Sequence, residues 1–141
     1  MFHKFNESFS QTCFFHGYRL YAVDGSDIHI PTIPDDYDTN FSASADSNGY
    51  NSIHLNTLYD LMNRRYIDTV LHDSRNANEH SALISMAKNI KCDSIIVADR
   101  GYEAYNNIAH FENNGLKYVI RIRTTSGIAQ KFNIPADKES L

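Results

Sequence analysis

Ser94-Ile95-Ile96-Val97-Ala98 is a short uncharged run, and on either side of it the apolar residues fall at helical spacing. A strand that is apolar at successive rather than alternate positions suits the middle of a parallel sheet, covered on both faces. Parallel neighbours in turn require crossover segments that lie on the sheet, so this one run predicts a layered α/β fold. The flanks supply the crossovers. Before the run, Asn76 followed three residues later by Glu79 has the form of a capping box, and Leu83, Met86, Ala87 and Ile90 recur on one helical face. After it, Ala104, Ile108 and Phe111 share a face of a helix predicted over 103–114, and Asn114-Gly115 offers the left-handed residue that closes it. Tyr118 to Arg123 then reads as a further strand.

The first half of the chain has a different rhythm. Tyr18 to Val23 mixes aromatic and β-branched residues and runs into Asp24-Gly25-Ser26-Asp27, which predicts a strand ending in a turn. Pro31 to Tyr50 is rich in Asp, Ser and Asn and reads as a long loop. Ile53, Leu55, Thr57 and Tyr59 alternate with one set of neighbours, and Ile67, Thr69 and Leu71 with another, giving two half-buried strands joined as a hairpin through Leu61 to Arg65. The expected order is three strands, helix, strand, helix, strand, then an irregular tail over 124–141. At 141 residues and 42% hydrophobic, the chain is one domain's worth and can bury about two-thirds of its extended surface. No repeat of solenoid length occurs.

Several function classes fall away on the same evidence. Ile95-Ile96-Val97-Ala98 is the longest purely apolar run, far short of the roughly 20 residues that span a bilayer, so no membrane association is expected. Met1-Phe2-His3-Lys4 has no apolar secretory core behind it. Cys13 and Cys92 lack a neighbouring Cys, which fits a reduced, cytoplasmic setting. A formal net charge of −4 counts against a free-standing nucleic-acid binder, since phosphate contacts need clustered Lys and Arg. The 7 His residues contain no HExxH or other local metal spacing. Asp36-x-Asp38-x-Asn40 imitates the start of a calcium loop, but Phe41 replaces the turn glycine and Ser47 the bidentate Glu, so a solvated loop is the better reading.

Two carboxylates stand apart. Asp24 closes one predicted strand and Asp99 another, and in open α/β sheets the carboxyl ends of strands meet in the crevice where ligands bind. If their strands are neighbours, both side chains reach one hard cation, Mg²⁺ or Mn²⁺, with an open coordination sphere suited to phosphoryl transfer. The plainer alternative makes Asp24 a turn former and Asp99 a helix cap.

Tyr18-Arg19-Leu20-Tyr21-Ala22-Val23-Asp24-Gly25-Ser26, Ile53-His54-Leu55-Asn56-Thr57-Leu58-Tyr59-Asp60, Asn78-Glu79-His80, Ile96-Val97-Ala98-Asp99-Arg100-Gly101-Tyr102 and Leu116 to Arg123 occur in that order. Together these blocks resemble the DDE-type transposases of bacterial insertion sequences, in the subgroup marked by a Tyr-Arg-Glu-Lys signature. The resemblance implies a ribonuclease-H-like core over 18–123, preceded by a flank over 1–17. It implies that Asp24 and Asp99 are the first two metal-binding catalytic carboxylates. It also implies DNA as partner, a homodimeric assembly, and a bacterial cytoplasmic setting. The third carboxylate of that family, a Glu within the signature on a later helix, has no match, so the chain reads as a piece of a catalytic core. Glu139 stands at a plausible spacing but carries none of the signature around it and reads as a solvated terminal charge. Arg100, Tyr102, Arg121 and Arg123 are the candidate DNA contacts, with salt bridging and packing as their alternative. Arg64-Arg65 reads as decoration of the hairpin turn. Two rival functions remain: a non-catalytic folded remnant that self-associates or binds DNA weakly, and a phosphate-handling α/β domain. The latter lacks the second Asp of the phosphohydrolase pattern, because Ser26 holds that place.

Overall fold

In the computed structural model, residues 13–41, 49–73, 75–91, 93–123 and 127–131 are described. Six strands form one mixed sheet: β1 (Arg19–Ile30), β2 (Asn40–Phe41), β3 (Tyr50–Asp60), β4 (Arg65–Asp73), β5 (Ser94–Ala98) and β6 (Lys117–Ile120). β1 is central. It pairs antiparallel with β3 from Tyr21↔Asp60 to Ile30↔Asn51, and parallel with β5 from Arg19↔Ser94 to Ala22↔Val97. β6 extends the parallel side through Ile95↔Lys117 to Ala98↔Ile120. The far edge of β3 is shared by the short β2 and by the hairpin partner β4. This is the ribonuclease-H-like order, antiparallel strands first and helix-linked parallel strands after.

β1 does not stop in a turn at Asp24-Gly25. Its backbone groups are taken up by the long β3 as far as Ile30, and a continuous ladder satisfies more of them than a local Asp-Gly turn could. The predicted hairpin forms as expected. Asp60, fully buried, accepts the N–H groups of Met62 (3.1 Å) and Asn63 (3.0 Å) and the Asn63 side chain (2.8 Å), and Arg64 takes the left-handed conformation. The polar loop after β1 is anchored too. The buried Asn51 side chain bonds both backbone groups of Ile33 and is reached by Asn40 at 3.1 Å.

Helix α1 (Glu79–Ala87) is capped by Asn78, whose side chain accepts from Ser81 N at 2.9 Å. The cap predicted at Asn76 is therefore two residues early; Asn76 bonds Asp73 instead. A 3₁₀ turn at Arg100–Tyr102 precedes α2 (Tyr105–Asn113), and Gly115, left-handed as anticipated, closes it. α2 starts later than predicted because the N–H of Glu103 closes the 3₁₀ turn on Arg100 O and Ala104, in extended conformation, is the cap; the Glu103 carboxylate accepts from the backbone N–H of Arg123 (2.8 Å) and Ile128 (2.6 Å). β6 stops at Ile120, short of the predicted Arg123. One helical turn, α3 (Ile128–Lys131), interrupts the tail expected to be irregular.

Tyr21, Val23, Leu58, Ile96 and Ala98 line the sheet face that meets Ala82, Leu83, Met86 and Ala87 of α1 and Phe111 of α2. Each fully buried Leu or Ile here contributes about 1.5–3 kcal/mol. The expectation that β5 is covered on both faces needs correction: Ser94, Ile96 and Ala98 are buried, whereas Ile95 and Val97 are half-buried. On that second face Leu71 and Val119 are exposed. Among the described residues no helix is long and apolar enough to cross a membrane.

Candidate active site

The register between β1 and β5 places the two aspartates. Asp24 and Asp99 stand at the same sequence offset as the paired Arg19 and Ser94, two positions beyond the last pair, Ala22↔Val97. They therefore lie side by side where β5 ends and β1 continues, and neighbouring strands are only about 4.8 Å apart. Both are exposed. β3 holds the backbone of Asp24 from the other side, through Asp24↔Thr57 and the Thr57 hydroxyl on the Asp24 carbonyl at 3.4 Å. Asp99 also caps the 3₁₀ turn, its Oδ1 accepting from Gly101 N at 2.7 Å. The plainer reading of Asp99 as a cap thus holds for the 3₁₀ turn, and the carboxylate keeps lone pairs for a further partner.

A third carboxylate reaches this edge from the helical side. Glu79, in the first turn of α1, lies over Gly25. A Cβ at Gly25 would stand 2.7 Å from Glu79 Oε1 and 2.7 Å from His54 Nε2, and one at Gly101 would stand 3.0 Å from Asp99 Oδ1 and 3.6 Å from Glu79 Oε2. His54 is buried on β3 and its Nδ1 pairs with Asp27 Oδ1 at 2.8 Å. Its Nε2 lies 3.3 Å from Glu79 Oε1 but is not aligned for a hydrogen bond. The Tyr102 hydroxyl has no hydrogen-bond partner among the described residues. Burial, then the charges of Glu79, Asp24 and Asp99 in that order, push its ionisation well above the usual range. The charges of all three carboxylates bear on that one phenol. They do not form a closed set: among the described residues no three His, Cys, Asp or Glu side chains stand as a ready metal-ligand group.

The donor chemistry suits a hard divalent cation, which takes oxygen ligands and keeps several waters. The glycines at 25 and 101 let the Glu79, His54 and Asp99 side chains close directly onto the backbone, where a Cβ would collide. Sequence reasoning assigned Glu79 only to a helix cap and a motif block, and it missed His54. The one signal available was Gly25, a glycine where the strand needs no turn.

The candidate DNA contacts divide. Arg100, Arg121 and Arg123 are exposed at the carboxyl ends of β5 and β6, on the side of Asp99. The charges of Arg123 and Arg100 help to hold the Glu103 carboxyl below its usual range, after the two backbone bonds it accepts. Tyr102 is different: it is 1% exposed and packs edge-on to His80, so packing is its role and contact with a base is closed to it. Asn107 locks this arrangement, donating to Tyr102 O at 2.9 Å and standing 2.8 Å from His80 Nδ1. Glu139 and Cys92 lie outside the described residues. Asp36 accepts from Thr39 at 2.7 Å and Asn40 is turned inward on Asn51, so that loop is not arranged to wrap calcium.

Comparison with known proteins bears on this edge. The transposase DDE domain family matches residues 15–140. Among solved structures, a cryo-EM structure of the piggyBac transposase synaptic complex with hairpin DNA superposes with a TM-score of 0.57 at 13% identity, over 85% of this chain. That likeness is one of fold, and the chain spans 26% of that transposase. A search of curated proteins gave no match.

Proposed function

Since the chain belongs to the family of transposase DDE domains, we propose that it is the part of a DNA transposase core carrying two of the metal-binding carboxylates, Asp24 and Asp99. The observation that supports this reading is the β1–β5 register, whose last pair, Ala22↔Val97, lies two positions before both residues although they are far apart in sequence. They would hold Mg²⁺ or Mn²⁺. Such ions activate water or a 3′-hydroxyl and stabilise the leaving oxygen in attack on a phosphodiester. The chain's own residues do the positioning. β3 fixes the backbone at Asp24, the 3₁₀ turn fixes Asp99, and Arg100, Arg121 and Arg123 offer a cationic rim to the DNA phosphates. DNA is the partner under this reading, with a homodimer bringing two ends together, in the bacterial cytoplasm.

The test is strand cleavage and joining, in Mg²⁺ or Mn²⁺, by a transposase containing this segment. Asp24→Asn and Asp99→Asn should each abolish both steps while the protein still folds. Cleavage that survives in either variant removes the assignment.

A further inference from the structure

We propose that Glu103 is a positioning residue for DNA: it fixes the backbone at Arg123 against the turn that begins at Asp99, so that the Arg123 guanidinium meets a DNA phosphate on the Asp99 side of the sheet. The proposal rests on the function proposed above and adds to it the residue at the far end of that turn.

Three observations converge. First, Asp99 and Glu103 are the two ends of one closed turn. Asp99 Oδ1 accepts from Gly101 N at 2.7 Å, Asp99 O from Tyr102 N at 3.2 Å, and Arg100 O from Glu103 N at 3.3 Å. Tyr102, between them, is buried and packs edge-on to His80. A turn so short and so fully bonded carries a constraint at one end to the other.

Second, the chain leaving β6 is pinned to this unit at two places. Arg121 N donates to Ala98 O at 3.1 Å, next to Asp99. The Glu103 carboxylate accepts from Arg123 N at 2.8 Å and from Ile128 N at 2.6 Å, with one oxygen for each. Gly127 is shaped to this contact. Its φ of +75° is a left-handed value that favours glycine, and a Cβ there would collide with the Glu103 carboxylate.

Third, Glu103 bonds backbone N–H groups and leaves the Arg123 guanidinium to another anion. Among the described residues Arg100, Arg121 and Arg123 form no ion pair. The backbone bonds account for an acidic side chain amid a cationic rim, where its charge alone would oppose phosphate.

The experiment uses the whole chain. A fluorescent DNA duplex is titrated in EDTA, at several salt concentrations, with wild type, Arg123→Ala, Glu103→Gln, the double variant and Lys88→Ala, the last an exposed lysine at the end of α1. Arg123→Ala should weaken binding and lower the slope of log affinity against log salt by about 1. Glu103→Gln should also weaken binding, although the loss of a negative charge by itself favours DNA. The double variant should bind no worse than Arg123→Ala, because both changes remove the same contact. Lys88→Ala should bind as wild type.

Tighter or unchanged binding by Glu103→Gln, with Arg123→Ala weakened, overturns the role of Glu103 and leaves the cationic rim standing. A further loss in the double variant overturns it too, since Glu103 then acts through something other than Arg123. No binding by wild type, or an equal loss in Lys88→Ala, removes the rim and the proposal together. Gly127→Ala disturbs the same contact while keeping Glu103 and its charge, and circular dichroism checks that each variant folds. Weakened binding by folded Gly127→Ala supports the proposal, and wild-type affinity there overturns it.

Discussion

Gly25 is where a single atom decides most. Its φ is not in the left-handed region, so the reason for glycine is space: a Cβ would stand 2.7 Å from both Glu79 Oε1 and His54 Nε2. The Glu79 side chain can swing aside, but the His54 ring is buried and tied to Asp27. Gly25→Ala should therefore destabilise the chain by about 1–3 kcal/mol, the usual cost of overpacking, and His54→Ala in that background should lose less than it does alone. Urea unfolding of the four proteins measures this. A second cycle concerns the aspartates. Two like charges on adjacent strand ends repel by about 1 kcal/mol in a solvated cleft, and Asn partly preserves the turn and cap bonds. Asp24→Asn and Asp99→Asn, unfolded in EDTA, should show a coupling of that size; strictly additive effects would mean that the carboxylates do not sense each other.

At the scale of elements, the Glu103 side chain ties the described part of the segment after β6 to the body, and Lys131 Nζ lies 5.0 Å over the Tyr105 ring. Glu103 accepts the N–H groups of Arg123 and Ile128, and these bonds hold its ionisation below the usual carboxylate range, with the charges of Arg123 and Arg100 assisting. Its folded value is depressed, so the contribution is present above the unfolded carboxylate range and is lost as pH falls through the folded value. α3 should therefore detach once acidification carries the pH below the usual carboxylate range, and Glu103→Gln should show weak attachment already at neutral pH. Hydrogen exchange at Arg123 and Ile128 across pH 3 to 7 checks it; pH-independent protection would show that other contacts hold the segment. α1 and the turn before α2 have a different tie. Asn107 bonds the turn and stands against His80 of α1, so the crossovers on either side of β5 are coupled beside the site.

Taken whole, the molecule is a sheet with one well-filled face. Leu58, 1% exposed, packs under α1, whereas Leu71 on the neighbouring strand is 60% exposed. Leu58→Ala should cost about 2–5 kcal/mol and Leu71→Thr less than about 0.5 kcal/mol, by urea unfolding; a large loss at Leu71 would mean that the second face is covered in solution. The same asymmetry explains what could be read in advance. Hydrophobic period determined the strand–helix order and the 61–65 hairpin link, and the Asn114-Gly115 pair the closure at Gly115, because each depends on residues within a few positions of one another. It also placed Asp99 after its strand. It misplaced the end of β1, since Asp-Gly is a turn signal locally and only the long ladder with β3 overrides it. It took Asn76 as the cap because Glu79 stands three residues on, whereas the path from β4 into α1 makes Asn78 the cap, accepting from Ser81 N. Tyr102 looked available beside Asp99 until packing on His80 buried it. The nearness of Asp24 to Asp99 could be anticipated only conditionally, on two strands being neighbours. The gathering of Glu79, His54 and Asp27 over Gly25 was beyond the sequence altogether, because those contacts join β1, β3 and α1 through pairing register and helix placement, which no local pattern encodes.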